Sequence, residues 1–194
     1  DYPGTLVDLL ETLPNVEFAA YCAGGVGSHR PASGGFGQFE RMAWLASKLK
    51  SKISSDYSLI PVYTELNMDA FQFDLPLREP HWRISTNWRL RPWIFNLLNE
   101  PTPHYISILK IGNIVLAGTP SDFSGELIPE IEYVAEPLGI DFIATSFNGG
   151  YVGYITKDKW YDLHEYETFI MNWFGPYNGA YFVEIIQRLI QLSS

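Results

Sequence analysis

Three residue types that can do chemistry, serine, aspartate and tyrosine, stand out at three places in this chain. Ser28 lies in the glycine-rich run "GGVGSHRP", and Asp122 follows the apolar run "NIVLAG" in "TPSDFSGE". Tyrosines crowd the segment "FNGGYVGYITKDKWYDLHEYE", at Tyr151, Tyr154, Tyr161 and Tyr166. A serine hydroxyl is a nucleophile only when a base or a metal activates it. A carboxylate just beyond a strand can be a metal ligand or general base, or simply the cap of the next helix. The Ser28 loop equally reads as a surface turn, because its glycines match neither a nucleotide-phosphate loop nor a dinucleotide fingerprint. The phenols read as core packing with solvent-facing tips, or as oxygen donors in a site. The histidines, His29, His81, His104 and His164, show no metal-binding spacing and no HExxH motif. A histidine-rich zinc site therefore needs donors from beyond this chain.

The elements that must position these groups follow from apolar spacing. Leu6, Leu9, Leu10 and Leu13 recur at helical intervals after Pro3. "VEFAAYCA" reads as a short buried strand, which makes Cys22 a buried thiol. Phe39, Met42, Ala43, Ala46, Leu49 and Ile53 mark an amphipathic helix. From Leu59 to Leu75 the pattern is strand-like, with a phase change near Asp69–Ala70 that predicts a bulge. "YISILKIGNIVLAGTP" predicts two strands joined by a turn at 111–113. Residues 123–138 read as helix, kinked at Pro129. "IDFIATSF" reads as a further buried strand, and Phe182, Ile185, Ile186 and Leu189 as a closing helix. Alternating helices and strands predict an α/β layered fold, a mixed β-sheet flanked by helices. In open α/β sheets ligands bind beyond the carboxyl ends of strands. If the strands ending at "GGVGSH", "TPSDFSGE" and "NGGYVGY" are parallel neighbours, Ser28, Asp122 and Tyr154 share one crevice.

Composition narrows the function. The chain has 194 residues, 46% apolar and 18% charged, which reads as a single domain piece spanning 1–194. A chain of this size buries roughly 70% of its unfolded surface. The net charge of −9 argues against nucleic acid, which needs clustered cations. No apolar run is long enough to span a bilayer. One cysteine excludes an intrachain disulfide. The start "DYPG", without Met, reads as that of a processed or truncated piece.

Five motifs in order resemble those of the neutral/alkaline, non-lysosomal ceramidases. They are "DYPG" at Asp1–Gly4, "GVGSHR" at Gly25–Arg30, "AGTPSDFS" at Ala117–Ser124, "GYVGYITKDKWYDLHEYE" at Gly150–Glu167 and "FGPYNGAY" at Phe174–Tyr181. Members of that family are zinc amidohydrolases that cleave N-acylsphingosines. The resemblance implies Ser28 as nucleophile, Asp122 and Tyr154 as zinc ligands, and Tyr166 as a donor to the oxyanion. It implies that two histidine ligands come from an N-terminal part of the same catalytic domain, of which this chain is the C-terminal half. It also implies a lipid-like N-acyl substrate and a secreted, periplasmic or cell-surface location. The chain departs from the family pattern at Asp122, where the family has Glu, and at Val26, His29 and Arg30 in the serine loop. Two alternatives stand beside the hydrolase reading: an inactive binding or scaffold protein with the same fold, and a hydrolase of another amide or an ester.

Overall fold

The computed structural model describes residues 1–14, 16–31, 37–56, 67–99 and 103–193. They form two compact units, 1–22 with 30–64, and 23–29 with 65–194. In the first unit, α1 (Tyr2–Leu10) packs on α2 (Gln38–Asp56) through buried Leu6 and Ala46. The Asp1 carboxylate accepts from the Gly4 N–H at 3.2 Å and caps α1.

The second unit holds the sheet. Its strands are β1 (Met68–Asp74), β4 (Tyr105–Ile111), β5 (Ile114–Gly118) and β7 (Asp141–Thr145), in the order β1-β4-β5-β7. The first two pairings are antiparallel and β5–β7 is parallel. Between β1 and β4 lie a two-stranded hairpin, β2 (Arg83–Ser85) with β3 (Trp88–Arg89), and α3 (Pro92–Leu98). Between β5 and β7 run β6 (Asp122–Phe123), a 3-10 turn at Gly125–Leu127 and α4 (Ile128–Ala135). After β7 come β8 (Tyr154–Ile155) and α5 (Asn178–Ser193).

Period-two alternation decides where the core sits. Ile106, Ile108, Val115, Ala117 and Ala144 are buried on one sheet face, in one core cluster with Ile131 and Ala135 of α4 and Ile186, Leu189 and Ile190 of α5. Register places Leu109 opposite Leu116, and Leu116 opposite Ile143, on the other face. That face is only partly covered, with Ile143 45% exposed. The start of α5 is held by Asp158, whose carboxylate accepts from the N–H groups of Gly179 (3.1 Å) and Ala180 (3.3 Å). A carboxylate at a helix N-terminus satisfies orphan donors and complements the dipole.

The α/β layered class is as the alternation predicts, and four expectations change. Residues 16–23 form no strand: Phe18 is 78% exposed, Cys22 is exposed, and no described strand offers this segment a ladder. An apolar run becomes a buried strand only where neighbours take up its backbone groups. Its backbone is held at single points instead, by Ala19 N–H to Glu11 Oε1 at 3.1 Å and Ser146 N–H to Ala23 O at 2.7 Å. The β1–β4 ladder runs unbroken from Met68↔Ile111 to Asp74↔Tyr105. The change of phase therefore reflects Met68 lying on the opposite face from Phe71 and Phe73, and Leu59 and Leu66 fall outside the described residues. Pro129 stands in the first turn of α4, where a missing N–H costs nothing, so it does not kink the helix. β7 is a half-exposed edge strand rather than a buried one. No helix among the described residues is long and apolar enough to cross a membrane.

Candidate active site

Asp122 and Tyr154 are register partners in the short parallel pair β6–β8. The pair is closed by Asp122 N–H to Gly153 O at 3.1 Å and Ser124 N–H to Ile155 O at 3.0 Å. Gly153 has φ 78°, and a Cβ there would meet Met171 O at 2.2 Å. Only glycine lets β8 approach the returning chain this closely. The approach to β6 is equally tied down. Thr119 N–H and Oγ1 both donate to Thr145 O, at 2.8 and 3.1 Å, and Val152 N–H donates to Pro120 O at 2.7 Å. Asp122 is not a helix cap, because Ser124 caps the following turn through its Oγ and the Glu126 N–H (3.3 Å).

Asp122 is 8% exposed. Tyr151 donates its hydroxyl to Asp122 Oδ2 at 2.6 Å, and the Tyr154 phenol lies close enough to the carboxylate to feel its charge. Burial pushes the Asp122 pKa above the usual carboxylate value, and the neighbouring Tyr151 and Tyr154 hydroxyls pull against that shift. Burial, and then the neighbouring Asp122 charge, push the Tyr154 phenol up to about 12. The Tyr151 phenol is raised by burial first and by its hydrogen bond to Asp122 second. Tyr154 therefore holds its proton at neutral pH unless a cation displaces it. The Tyr166 ring stands edge-on to that of Tyr154, with centroids 5.8 Å apart. Asp122, Tyr154 and Tyr166 are thus brought together.

Ser28 reaches the same neighbourhood through its backbone. Val26 bridges to Ser124, and Gly27 N–H donates to Phe123 O at 2.9 Å. A Cβ on Gly27 would meet Asp122 O at 2.4 Å, so glycine is what lets the serine loop lie against β6. Ser146, at the end of β7, holds the loop's start through Oγ to Gly24 O at 2.7 Å. The Ser28 hydroxyl is exposed and lies 3.3 Å from His29 Nδ1, which is itself 2.7 Å from Gly25 O. A carbonyl can only accept, so His29 Nδ1 carries the proton and donates it to Gly25. In that tautomer Nδ1 cannot take a proton from Ser28.

Tyr166 opens a single π-helical turn, Tyr166–Ile170, and no hydrogen bond holds its hydroxyl among the described residues. Arg83 of β2 clamps this segment. Its Nη2 donates to Tyr161 O and Thr168 O, both at 2.6 Å, and the guanidinium lies 3.6 Å from the Tyr161 ring centroid and 4.8 Å from that of Phe169. Arg83→Met is expected to destabilise the fold by about 2–4 kcal/mol, because two carbonyls lose their donor and two rings lose their cation. Denaturant melts check this. Arg83→Lys should recover only part of the loss, since an ammonium lacks the guanidinium fork.

Tyr151 and Arg83 do not appear among the sequence-derived site residues. For Tyr151 a signal existed: it lies three residues before Tyr154 with a glycine between them. For Arg83 there was none, because its partners are backbone carbonyls 78 and 85 residues away. Tyr151→Phe keeps the ring and removes the donor to Asp122. If Asp122 ligates zinc, this substitution is expected to lower zinc affinity or kcat/KM by about 10–100-fold, the usual cost of losing a group that orients a ligand. Zinc titration and steady-state kinetics check it.

As metal donors, one Asp122 oxygen and the Tyr154 phenol suit zinc in type, but they are two where a catalytic site takes about three. Among the described residues no three His, Cys, Asp or Glu side chains stand together to hold a metal ion.

No protein-family model matches the sequence, and no curated protein matches it. Solved structures do. The crystal structure of neutral ceramidase from Pseudomonas aeruginosa matches with a TM-score of 0.70 at 17% identity, over 98% of this chain and 40% of that one. A ceramidase complexed with C2 matches with a TM-score of 0.73 at 16% identity, over 98% of this chain and 41% of that one. This chain therefore has the fold of neutral ceramidase, over a stretch that makes up about two fifths of the solved chains.

Proposed function

We propose that this chain is the C-terminal part of the catalytic domain of a zinc-dependent amidohydrolase acting on ceramide or a related N-acyl lipid. The observation that carries the reading is the pairing of Asp122 with Tyr154, carboxylate against phenol, with Tyr166 beside them. In this reading Asp122 and Tyr154 are two zinc ligands, and histidines from the N-terminal part of the domain complete the set. When bound, zinc polarises an amide carbonyl or lowers the pKa of a hydroxyl or water. Ser28 Oγ bonds to the acyl carbon and gives up its proton, the C–N bond breaks, and the amine leaves carrying that proton. Water then releases the acyl group from Ser28. Tyr166 donates its phenol hydrogen to the oxygen that gains charge. The half-covered apolar sheet face around Leu109, Leu116 and Ile143 supports a further layer of the same domain as partner. A secreted, periplasmic or cell-surface location belongs to the same proposal.

The full-length protein tests this directly. Elemental analysis is expected to find about one zinc per chain, and N-acylsphingosine to be hydrolysed to a fatty acid and a free amine. Zinc without ceramide turnover, but with cleavage of another N-acyl amide or an ester, would redirect the substrate. The His29 proton donated to Gly25 favours a second reading, a binding protein that has lost the reaction. Neither zinc nor turnover of any acyl substrate would leave that reading standing.

A further inference from the structure

A cavity of about 440 Å³ is lined in part by Tyr151, whose hydroxyl reaches Asp122, and its wall has three chemically different parts. One is a run of rings. Phe174 meets Phe95 at 6.1 Å, Phe95 meets Trp173 at 5.3 Å, and Trp173 meets Tyr151 at 5.5 Å between centroids. The second is aliphatic, Leu75, Leu77 and Pro80, and the third is polar and neutral, Asn96, Asn99 and His104. Asn99 spends its amide N–H on Phe95 O at 3.1 Å, and the Asn96 amide, which is exposed, makes no hydrogen bond to protein among the described residues. Two ring nitrogens along the cavity, His104 Nδ1 and Trp173 Nε1, are buried without a partner among the described residues. Among the described residues no Lys, Arg, Asp or Glu lines the cavity.

This wall discriminates between ligand classes. An anionic headgroup finds no counter-charge there. A plain alkyl chain would cover the rings and the aliphatic side chains Leu75, Leu77 and Pro80 but would leave two amides and an imidazole without replacement for their hydrogen bonds. A pyranose ring has C–H faces that stack on aromatic rings and hydroxyls that both donate and accept. The volume is in the range of small-molecule sites. We infer that the cavity bounded by Phe95, Trp173, Tyr151 and the Asn96–Asn99–His104 wall is a binding site for a neutral saccharide ring. The sugar is either free or carried as the glycosyl unit of a larger ligand. The inference does not require Asp122 to hold a metal, although Tyr151 makes the cavity and the carboxylate neighbours.

The test uses the full-length protein with methyl β-D-glucopyranoside and methyl β-D-galactopyranoside, and 1-hexanol as the alkyl probe, read by saturation-transfer NMR and calorimetry. Saturable binding of at least one glycoside is expected, with no displacement by 1-hexanol. Asn96→Leu, at an exposed position outside the core, should weaken that binding about fivefold, the worth of one hydrogen bond. Leu77→Trp, which fills the cavity, should abolish it. If hydrolysis is present, competitive inhibition by the glycoside assigns the sugar to the substrate, and non-competitive inhibition assigns it to a separate ligand. Absence of saturable glycoside binding overturns the inference. So does binding that both folded variants leave unchanged, or preferential binding of 1-hexanol.

Discussion

Asp122→Asn in the full-length protein is expected to lose bound zinc and at least about 100-fold in amide hydrolysis, while the metal-free protein becomes more stable. The loss should exceed the 10–100-fold typical of a residue that only orients a ligand, because in the proposed site the carboxylate is itself the donor. The gain in stability follows from burial. The folded-state pKa of Asp122 is raised above its ordinary value of 3.8, so at neutral pH the fold holds a charge that it disfavours. That penalty is fully present above the folded pKa and disappears as the pH falls through the folded value toward 3.8. Asparagine carries no charge and keeps an oxygen for the Tyr151 hydroxyl. A rise in Tm at pH 7 is expected, shrinking to nothing near the ordinary carboxylate pKa. Zinc analysis, turnover and paired melts at neutral and acidic pH check it. A variant that melts lower at pH 7 with its zinc intact would make Asp122 a structural anchor rather than a ligand.

Tyr166→Phe is expected to lower kcat by about 10²–10³, with zinc content and melting temperature unchanged. The magnitude is that of one lost donor to a developing oxyanion. The selectivity follows from the environment of Tyr166. The side chain is 52% exposed and its hydroxyl holds no protein partner among the described residues, so its removal breaks no folded-state bond. A contribution made only in the transition state lowers kcat and kcat/KM together and leaves KM nearly alone. Tyr154→Phe provides the contrast, because loss of a proposed ligand lowers zinc content as well. If Tyr166→Phe turned over at the rate of the unaltered protein, the oxyanion role would be withdrawn while the roles of Asp122 and Tyr154 would remain to be judged on their own.

Apolar periodicity by itself determined several elements of the second unit: the β4–β5 pair, β7 and α5 lie where spacing places them, whereas the helix expected over 123–138 is shortened to α4, Ile128–Ala135, with Phe123 in β6 before it. Each of these elements buries one face within its own length, so local sequence carries the signal. The order of the motifs likewise marked Ser28, Asp122, Tyr154 and Tyr166 as a set before any coordinates. Periodicity failed at residues 16–23, because burial of a strand depends on neighbours that the run itself does not encode. Only tertiary structure decided that Asp122 and Tyr154 stand in register, that Tyr151 holds Oδ2, and that Arg83 clamps the Tyr166 turn from across the fold. It also decided that Ser124, not Asp122, is the cap. These contacts join residues 29 to 85 positions apart through single hydrogen bonds, which leave no periodic trace in the chain. Spacing along a sequence reports which face is buried, whereas a site depends on which distant atoms meet, and that is set by packing.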